Sequence, residues 1–318
     1  MKDTSVIIPN YNGLKFLDTL FKSLRNQTTD RFEIILVDNG STDGSREFTA
    51  QNYPEVRIVH LNENMGFAYA VNEGIRQSRG KYVILLNNDT EAAPGFVEGL
   101  HSAIARRKRA FSCQAKMISM EDHDVMDDAG DFYCALGWAF ARGKGKSSSR
   151  YNKERRIFSS CAGAAIYRKK LLWELGLFDE EHFAYMEDLD ICYRARLSGY
   201  ENWYAPGAVV YHMGSGTSGS RYNQFKIRYS SRNNIYMIYK NMPALQIFLN
   251  LPLLIAGFGI KLVFFTLRGY GREYAAGIKN GFQISRPEKK VCFEQKKLPT
   301  YIRIQLELWW NTVRRFAG

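Results

Sequence analysis

Four short apolar runs constrain the fold of this chain more than any other feature: residues 5–9 (SVIIP), 32–37 (FEIILV), 56–61 (VRIVHL) and 82–86 (YVILL). Each is too short for a stable helix, rich in β-branched residues and poor in polar alternation, the pattern of strands buried on both faces. Between them the apolar spacing changes. Leu14, Leu17, Leu20, Phe21 and Leu24 recur as on one face of a helix, and 44–51 and 66–78 read as two further helices. Strands alternating with helices predict an α/β fold, a mainly parallel sheet with helices on both faces.

An open parallel sheet of this kind binds its ligands beyond the carboxyl ends of its strands. Polar clusters fall at those ends in this chain: Asn10-Tyr11-Asn12, then Asp38-Asn39-Gly40-Ser41-Thr42-Asp43, then residues 62–64 with Asn64, then Asn87-Asn88-Asp89. Any one of them is ordinary turn chemistry, and Asp43 reads as an N-cap of the helix after it. Four such clusters on one edge predict a site.

Downstream, residues 142–156 (RGKGKSSSRYNKERR) are dense in Lys and Arg, with Tyr151 as the one large apolar side chain. They read as a mobile loop or lid inside the domain. A strand over 161–168, a short helix over 169–176, a longer helix over 187–198 and a last strand at 209–211 follow. Arg106 to Arg109 read as a solvated helix end. Beyond 221 the pattern is all-helical, and the charge changes with it: 27 Lys and Arg stand against 28 Asp and Glu over residues 1–220, but 17 against 4 over 221–318. The reading is therefore two units, 1–220 and 221–318, with a basic second unit suited to a polyanionic surface.

Five cysteines (113, 134, 161, 192, 292), odd in number and without a CxxC pair, support neither a zinc knuckle nor a disulfide framework. The chain runs from Met1 into its first strand without the apolar core of a secretory leader. Cytoplasmic residence is the expectation, and the sequons at Asn26, Asn39 and Asn88 then carry no glycan.

The blocks SVIIPNYNG, EIILVDNGSTDGS, NENMGFAYAVNEGI, GKYVILLNNDT, CAGAAIYRK, LGLFDEEHFAYMEDLDICYRARLSGY and VVYHMGSGTSG, in this order over about residues 4–220, resemble the family 2 glycosyltransferases, in particular their bacterial rhamnosyltransferase-like branch. The resemblance implies the GT-A nucleotide-diphospho-sugar transferase fold and an inverting transfer from a nucleotide-diphosphate sugar, with a lean to dTDP-L-rhamnose, onto a hydroxyl of a glycan or lipid-linked acceptor. It places the donor nucleotide-sugar against Pro9, Tyr11, Asp38, Asn64, Gly66, Asn72, Asn88 and Asp89. A divalent metal, Mg²⁺ or Mn²⁺, falls to Asp89 and His212, the catalytic base to Asp188, and the acceptor side to Gly163, Glu187 and Arg196.

One departure matters. The first carboxylate of the family's Asp-x-Asp motif is replaced by Asn87, so a single carboxylate must hold the ion together with the donor diphosphate and an imidazole. Chemistry requires a base such as Asp188, because a sugar hydroxyl is a poor nucleophile until it loses its proton; a positioned carboxylate contributes about 10²- to 10⁴-fold. Asp190 reads instead as the i,i+4 partner of Arg194.

Gly214-Ser215-Gly216-Thr217-Ser218-Gly219 spells GxGxxG, yet residues 221–267 contain neither Asp nor Glu and no second strand, which excludes a dinucleotide fingerprint. A loop over the donor phosphates is the expectation there. Residues 244–260 carry no charge, and LVFFTL continues after Lys261. With Pro252 and Asn250 inside and basic residues on both flanks, the stretch reads as interfacial on the inner face of the cell membrane, against anionic lipid, rather than as a span. Ordinary core packing, or a homodimer through the same helices, is the other use for it. A nucleotidyltransferase would need a Gly-rich, Lys- and Arg-bearing signature that IIPNYNG lacks, and nucleic acid is not an expected partner.

Overall fold

The computed structural model describes residues 2–214 and 222–317. In chain order the strands are β1 (Thr4–Asn10), β2 (Phe32–Asn39), β3 (Arg57–Leu61), β4 (Tyr82–Leu86), β5 (Thr90–Ala92), β6 (Ala110–Ser119), β7 (Met126–Asp128), β8 (Asp131–Tyr133), β9 (Ala139–Ala141), β10 (Arg155–Ile157), β11 (Ala164–Arg168) and β12 (Glu201–His212). The helices are α1 (Leu14–Arg25), α2 (Ser45–Asn52), α3 (Phe67–Gln77), α4 (Phe96–Ala105), α5 (Lys169–Glu174), α6 (Glu187–Leu197), α7 (Gln224–Asn241), α8 (Ala244–Leu267), α9 (Gly271–Ile284) and α10 (Leu298–Phe316).

The main sheet runs β10-β12-β6-β11-β4-β1-β2-β3. β3, β2, β1 and β4 are mutually parallel, β12 is parallel to β6, and β11 is inserted antiparallel between β4 and β6. The chain winds from β1 outward to β3 and then returns to place β4 on the other side of β1. That reversal leaves a crevice at the carboxyl ends of β1 and β4, where two adjacent connections leave on opposite faces.

Alternate side chains explain why both faces are covered. Val6, Ile8, Leu36, Ile84 and Leu86 pack against Leu17, Leu20 and Phe21 of α1 and Phe96 and Leu100 of α4. Ile7, Ile35, Val37, Val83 and Leu85 pack against Val71 and Ile75 of α3 and Ile191 and Ala195 of α6. A strand buried on two faces needs apolar residues at consecutive positions, which is what made these runs readable.

Two expectations need correction. Residues 142–156 are not a lid: Arg155–Ile157 pairs with β12 as an edge strand, Met126 N–H donates to Lys146 O at 2.8 Å, and the Tyr204 hydroxyl donates to Tyr151 O at 2.8 Å. A hairpin stem and backbone pairing hold a segment whose composition reads as solvated. The charge break at 220 is likewise not a break in packing. Tyr133, Phe158, Leu189 and Tyr193 share one buried cluster with Met237 of α7, Leu254 of α8 and Ile304 and Leu308 of α10. The basic residues at 106–109 are also engaged, Arg106 and Arg107 with Glu154 and Arg107 over the Trp203 ring at 4.4 Å.

Pro252 sits inside α8, whose 24 residues run unbroken through it. One side of α8 docks: Asn250 exchanges hydrogen bonds with Gln305 of α10 at 2.8 Å, the Trp138 indole donates to Gly257 O at 3.0 Å, and a Cβ on Gly257 would meet Leu136 O at 2.0 Å. The other side exposes Phe248, Ile255, Val263 and Leu267. Among the described residues α8 is the one helix long and apolar enough to cross a membrane.

Candidate functional site

The crevice between β1 and β4 gathers the predicted donor residues by register. Parallel pairing sets Asn10 beside Asp38 and Asp38 beside His60, so the ends of three strands lie in one row. The Asn88 amide donates to Asn10 Oδ1 at 2.7 Å, and a Cβ on Gly13 would lie 2.0 Å from that amide. Asn88 is therefore the clamp that ties β4 to β1 beneath the crevice. Asp43 stands one residue before Gly44, the N-cap of α2, and is not the cap itself; one of its carboxylate oxygens accepts from Ser45 N–H at 3.1 Å and the other from Leu14 N–H at 2.8 Å, so it stabilises the starts of both α1 and α2.

Asp38 is buried, with Oδ2 3.3 Å from His60 Nδ1, while Oδ1 has no partner. A buried carboxylate oxygen left unpaired costs free energy that a ligand N–H recovers. Pro9 pairs with Val37, one register position before Asp38, and Tyr11 follows Asn10 with its side chain exposed. Asn64 accepts from the Asn39 amide and from Gly66 N–H, both at 3.0 Å. Gly66 adopts φ 88° and a Cβ there would lie 2.6 Å from Phe183, so these residues shape the wall through backbone geometry.

The metal side is set by a second pairing. β5 runs antiparallel to β12 with Thr90 opposite His212, which brings Asp89 Oδ1 to 3.4 Å from His212 Nε2. The other ring nitrogen lies 2.7 Å from Asp127 Oδ2 on β7. Burial works against a charge on His212, but the hydrogen bonds to Asp127 and Asp89 raise its pKa to about 9. Asp127 is pulled the other way, to about 2, where His212 and Lys144 outweigh burial. One carboxylate and one imidazole this close fit a single borderline divalent ion, and Asp127 orients the imidazole as a carboxylate behind a metal-bound histidine does. Asn87, where a second carboxylate was missing, packs its amide against Gly163, within 3.0 Å of where a Cβ would stand.

Asp188 opens α6, preceded by a turn in which Phe183, Tyr185 and Met186 all have φ between 60° and 71°. Left-handed backbone costs a non-glycine residue about 1–3 kcal/mol each. Asn233 of α7 holds the turn, with its amide nitrogen 2.8 Å from the carbonyls of His182, Ala184 and Tyr185. The Asp188 carboxylate then accepts from Ala162 N–H at 3.2 Å and from Leu189 N–H at 2.7 Å. Ala162 precedes Gly163, and Gly163 O accepts from Asn87 N–H at 2.9 Å, two residues before Asp89. Base candidate and metal candidate thus belong to one continuous wall. Burial raises the pKa of Asp188, and burial plus the neighbouring Asp188 charge raises that of Glu187 well above the usual range.

Two predicted residues face elsewhere. The Asn72 amide donates to Phe178 O and to Glu180 at 2.8 Å, and its carbonyl accepts from Phe178 N–H at 3.1 Å, so it fastens the 178–180 turn and not a donor. Arg196 pairs with Glu307 of α10 and lies over the Phe158 ring at 4.4 Å, so its terminal guanidinium nitrogens dock the last helix instead of facing the crevice. Of the Gly214–Gly219 motif, residues 215–219 lie outside the described residues. Asp127 and Asn233 were not anticipated. Neither stands in a motif, and their partners lie 85 and about 50 residues away in sequence.

A second cluster, Asp179, His182 and Asp190, brings three ligand-type atoms within 4.8 Å. It is already neutralised, because Lys240 contacts Asp179 at 2.6 Å and Asp190 at 3.0 Å, and Arg194 contacts Asp190 at 2.8 Å. Burial depresses the His182 pKa to about 4. This is an ion-pair network joining α6 to α7, including the Asp190–Arg194 pair expected from spacing.

Residues 5–176 match the family model for Glycosyl transferase family 2. The chain is 29% identical over 237 residues, 67% of its length and 77% of the relative's, to the N-acetylglucosaminyl-diphospho-decaprenol L-rhamnosyltransferase of Mycobacterium tuberculosis. Its fold is similar to that of GalNAc-T7 with UDP, GalNAc and Mn²⁺ (TM-score 0.59, 17% identity, 74% of this chain and 47% of that one). It is also similar to the mannosyltransferase PcManGT of Pyrobaculum calidifontis with GDP-Man and Mn²⁺ (TM-score 0.51, 17% identity, 96% and 84%).

Proposed function

The chain belongs to glycosyl transferase family 2, in its rhamnosyltransferase-like branch, and from that premise we propose an inverting transfer of a sugar from a nucleotide-diphosphate donor to a hydroxyl of a glycan or lipid-linked acceptor. The name of the mycobacterial relative supports an L-rhamnosyl donor such as dTDP-L-rhamnose and a lipid-diphosphate acceptor.

Asp38 receives an N–H of the nucleobase on its unpaired oxygen, and the 64–66 turn walls the donor in. Asp188 removes the proton from the acceptor hydroxyl, whose oxygen displaces the nucleoside diphosphate in line at the anomeric carbon. Inversion follows from the single displacement. Glu187 is buried beside Asp188, where burial and the Asp188 charge both oppose its ionisation. A divalent ion held by Asp89 and His212 would supply Lewis-acid stabilisation of the leaving diphosphate. The observation that carries this reading is the continuous wall Asp188–Ala162–Gly163–Asn87–Asp89, since general base and leaving-group stabiliser must flank one sugar.

The exposed side of α8 and the basic C-terminal helices support contact with an anionic membrane surface. Because the first part of α8 is docked on the protein through Asn250 and Gly257, it suits the interface better than a crossing.

A thermal-shift panel of nucleotide sugars with Mg²⁺ or Mn²⁺ tests the reading. A true donor at 100 times its Kd stabilises the fold by about 2.7 kcal/mol, and the gain disappears in EDTA. Absence of any metal-dependent shift across the panel overturns it.

A further inference from the structure

Beside the donor wall a cleft of about 1240 Å³ opens between the 175–183 segment and helices α7 and α9. Its α7 wall has a regular chemistry. Phe225, Arg228, Tyr229 and Arg232 stand at i, i+3, i+4 and i+7, so two aromatic and two cationic side chains share one helical face. The rings form a ladder: Phe225 lies 4.5 Å from Tyr229, and Tyr229 lies 5.4 Å from Phe183, the residue that abuts Gly66 of the donor wall. Outward from the cleft the aromatic surface resumes at Tyr222, 5.9 Å from Phe264 on the exposed side of α8, with Arg268 4.6 Å over the Phe264 ring. Phe225 and Phe264 are 45% and 38% exposed, so this surface is open.

The cations are not all spent. Arg232 is tied to Glu181 at 2.7 Å, whereas among the described residues Arg228 and Lys289, both lining the cleft, form no ion pair. Unpaired guanidinium and ammonium groups interleaved with exposed rings complement a ligand that is anionic at one point and apolar along its length.

We propose that the Phe225–Arg232 face of α7 is the acceptor subsite for an amphiphile bearing a phosphate on an apolar chain. Arg228 and Lys289 take the phosphate, and Phe225, Tyr222 and Phe264 take the chain toward the membrane-facing side of α8. The assignment rests on the transferase reading and gives the acceptor's phosphate and apolar chain a place on the protein. It places the chain on the flank of the donor wall nearest Gly66, so that the sugar head reaches the crevice while the phosphate stays clear of Asp188.

The test uses the full chain in EDTA, titrated calorimetrically with decyl phosphate below its critical micelle concentration, and with inorganic phosphate and decyl glucoside as half-probes. Decyl phosphate binds saturably and at least about tenfold tighter than either half-probe, and the double variant Phe225→Ser/Arg228→Gln binds it at least about tenfold more weakly, the factor for roughly 55 Å² of lost apolar contact. Both proteins keep the same thermal shift with nucleoside diphosphate and Mn²⁺, which shows that the variant is folded; absence of that shift in both proteins sinks the donor reading and leaves the subsite standing. Flotation with phosphatidylglycerol vesicles is unchanged in the variant, because bilayer contact belongs to α8 and α10. Inorganic phosphate binding as tightly as decyl phosphate, an unaffected double variant, loss of flotation, or a homodimer that the variant dissociates each overturns the assignment.

Discussion

Replacing Asp190 by Ala removes the centre of the network that fastens α7 to α6. Asp190 is fully buried and accepts from Arg194 at 2.8 Å, Lys240 at 3.0 Å and the Asn241 amide at 2.7 Å. Without it Arg194 keeps its bonds to the carbonyls of Leu175 and Leu177, and Lys240 keeps Asp179, so two buried cations face one carboxylate. Breaking a buried pair from one side costs about 3–5 kcal/mol. The retained partners put this site at the lower end, about 3 kcal/mol. With a urea m-value of about 3 kcal/mol/M, the unfolding midpoint falls by about 1 M. Asp190→Asn preserves the volume and the contact to Asn241 but not the charge, so it loses most of the same stability. Equilibrium urea unfolding, followed by circular dichroism, measures both. A midpoint within about 0.2 M of wild type for either variant refutes the reasoning, because the network would then owe its strength to shape and not to charge.

Asp188→Asn lowers transfer by about 10²- to 10⁴-fold while leaving donor affinity intact; measured turnover close to wild type in a saturating donor assay removes Asp188 from the base role. Asp38→Ala weakens binding of the nucleoside diphosphate by roughly ten- to a hundredfold, the worth of one hydrogen bond to a charged group, and calorimetry that finds equal affinity refutes its contact with the base. Acid and neutral limbs of stability have opposite signs. Lys240 holds the Asp179 pKa at about 2 against burial, so its contribution is complete above its ordinary value of 3.8 and is lost as pH falls through 2. Burial lifts Asp128 to about 7, so the folded state holds an extra proton between about pH 4 and 7 and stability declines as pH rises across that window. Asp128→Asn reduces that decline, and an unchanged pH profile of the urea midpoint contradicts it.

Correct and incorrect readings of the sequence separate by the range of the interaction involved. The turns at Asn10, Asp38, Asn64 and Asn88 were legible because each follows an apolar run, and strand ends in a parallel sheet share an edge. Asp190 with Arg194 was legible because i,i+4 is local. Asn72 and Arg196 sit inside family-like blocks, yet one amide fastens the 178–180 turn and one guanidinium docks α10, contacts that no spacing encodes. The 142–156 segment failed for a related reason: its backbone pairs with β12 while its side chains stay polar, and composition reports only the side chains.

By itself, the sequence determined the α/β class, the edge on which the polar clusters collect, the family, and the basic character of the last hundred residues. The class, the edge and the basic character follow from periodicity and composition, which are properties of neighbouring residues, and the family follows from the resemblance of the ordered blocks over residues 4–220. Only the tertiary structure decided that His212 stands between Asp89 and Asp127, that Asn233 from a helix beyond the charge break holds the strained turn before Asp188, and that α7 lines a cleft beside the donor wall. Each depends on side chains brought together across 46 to 123 residues of chain or more by strand pairing and helix docking, and the free energy of such contacts belongs to the packed molecule, not to any local stretch of it.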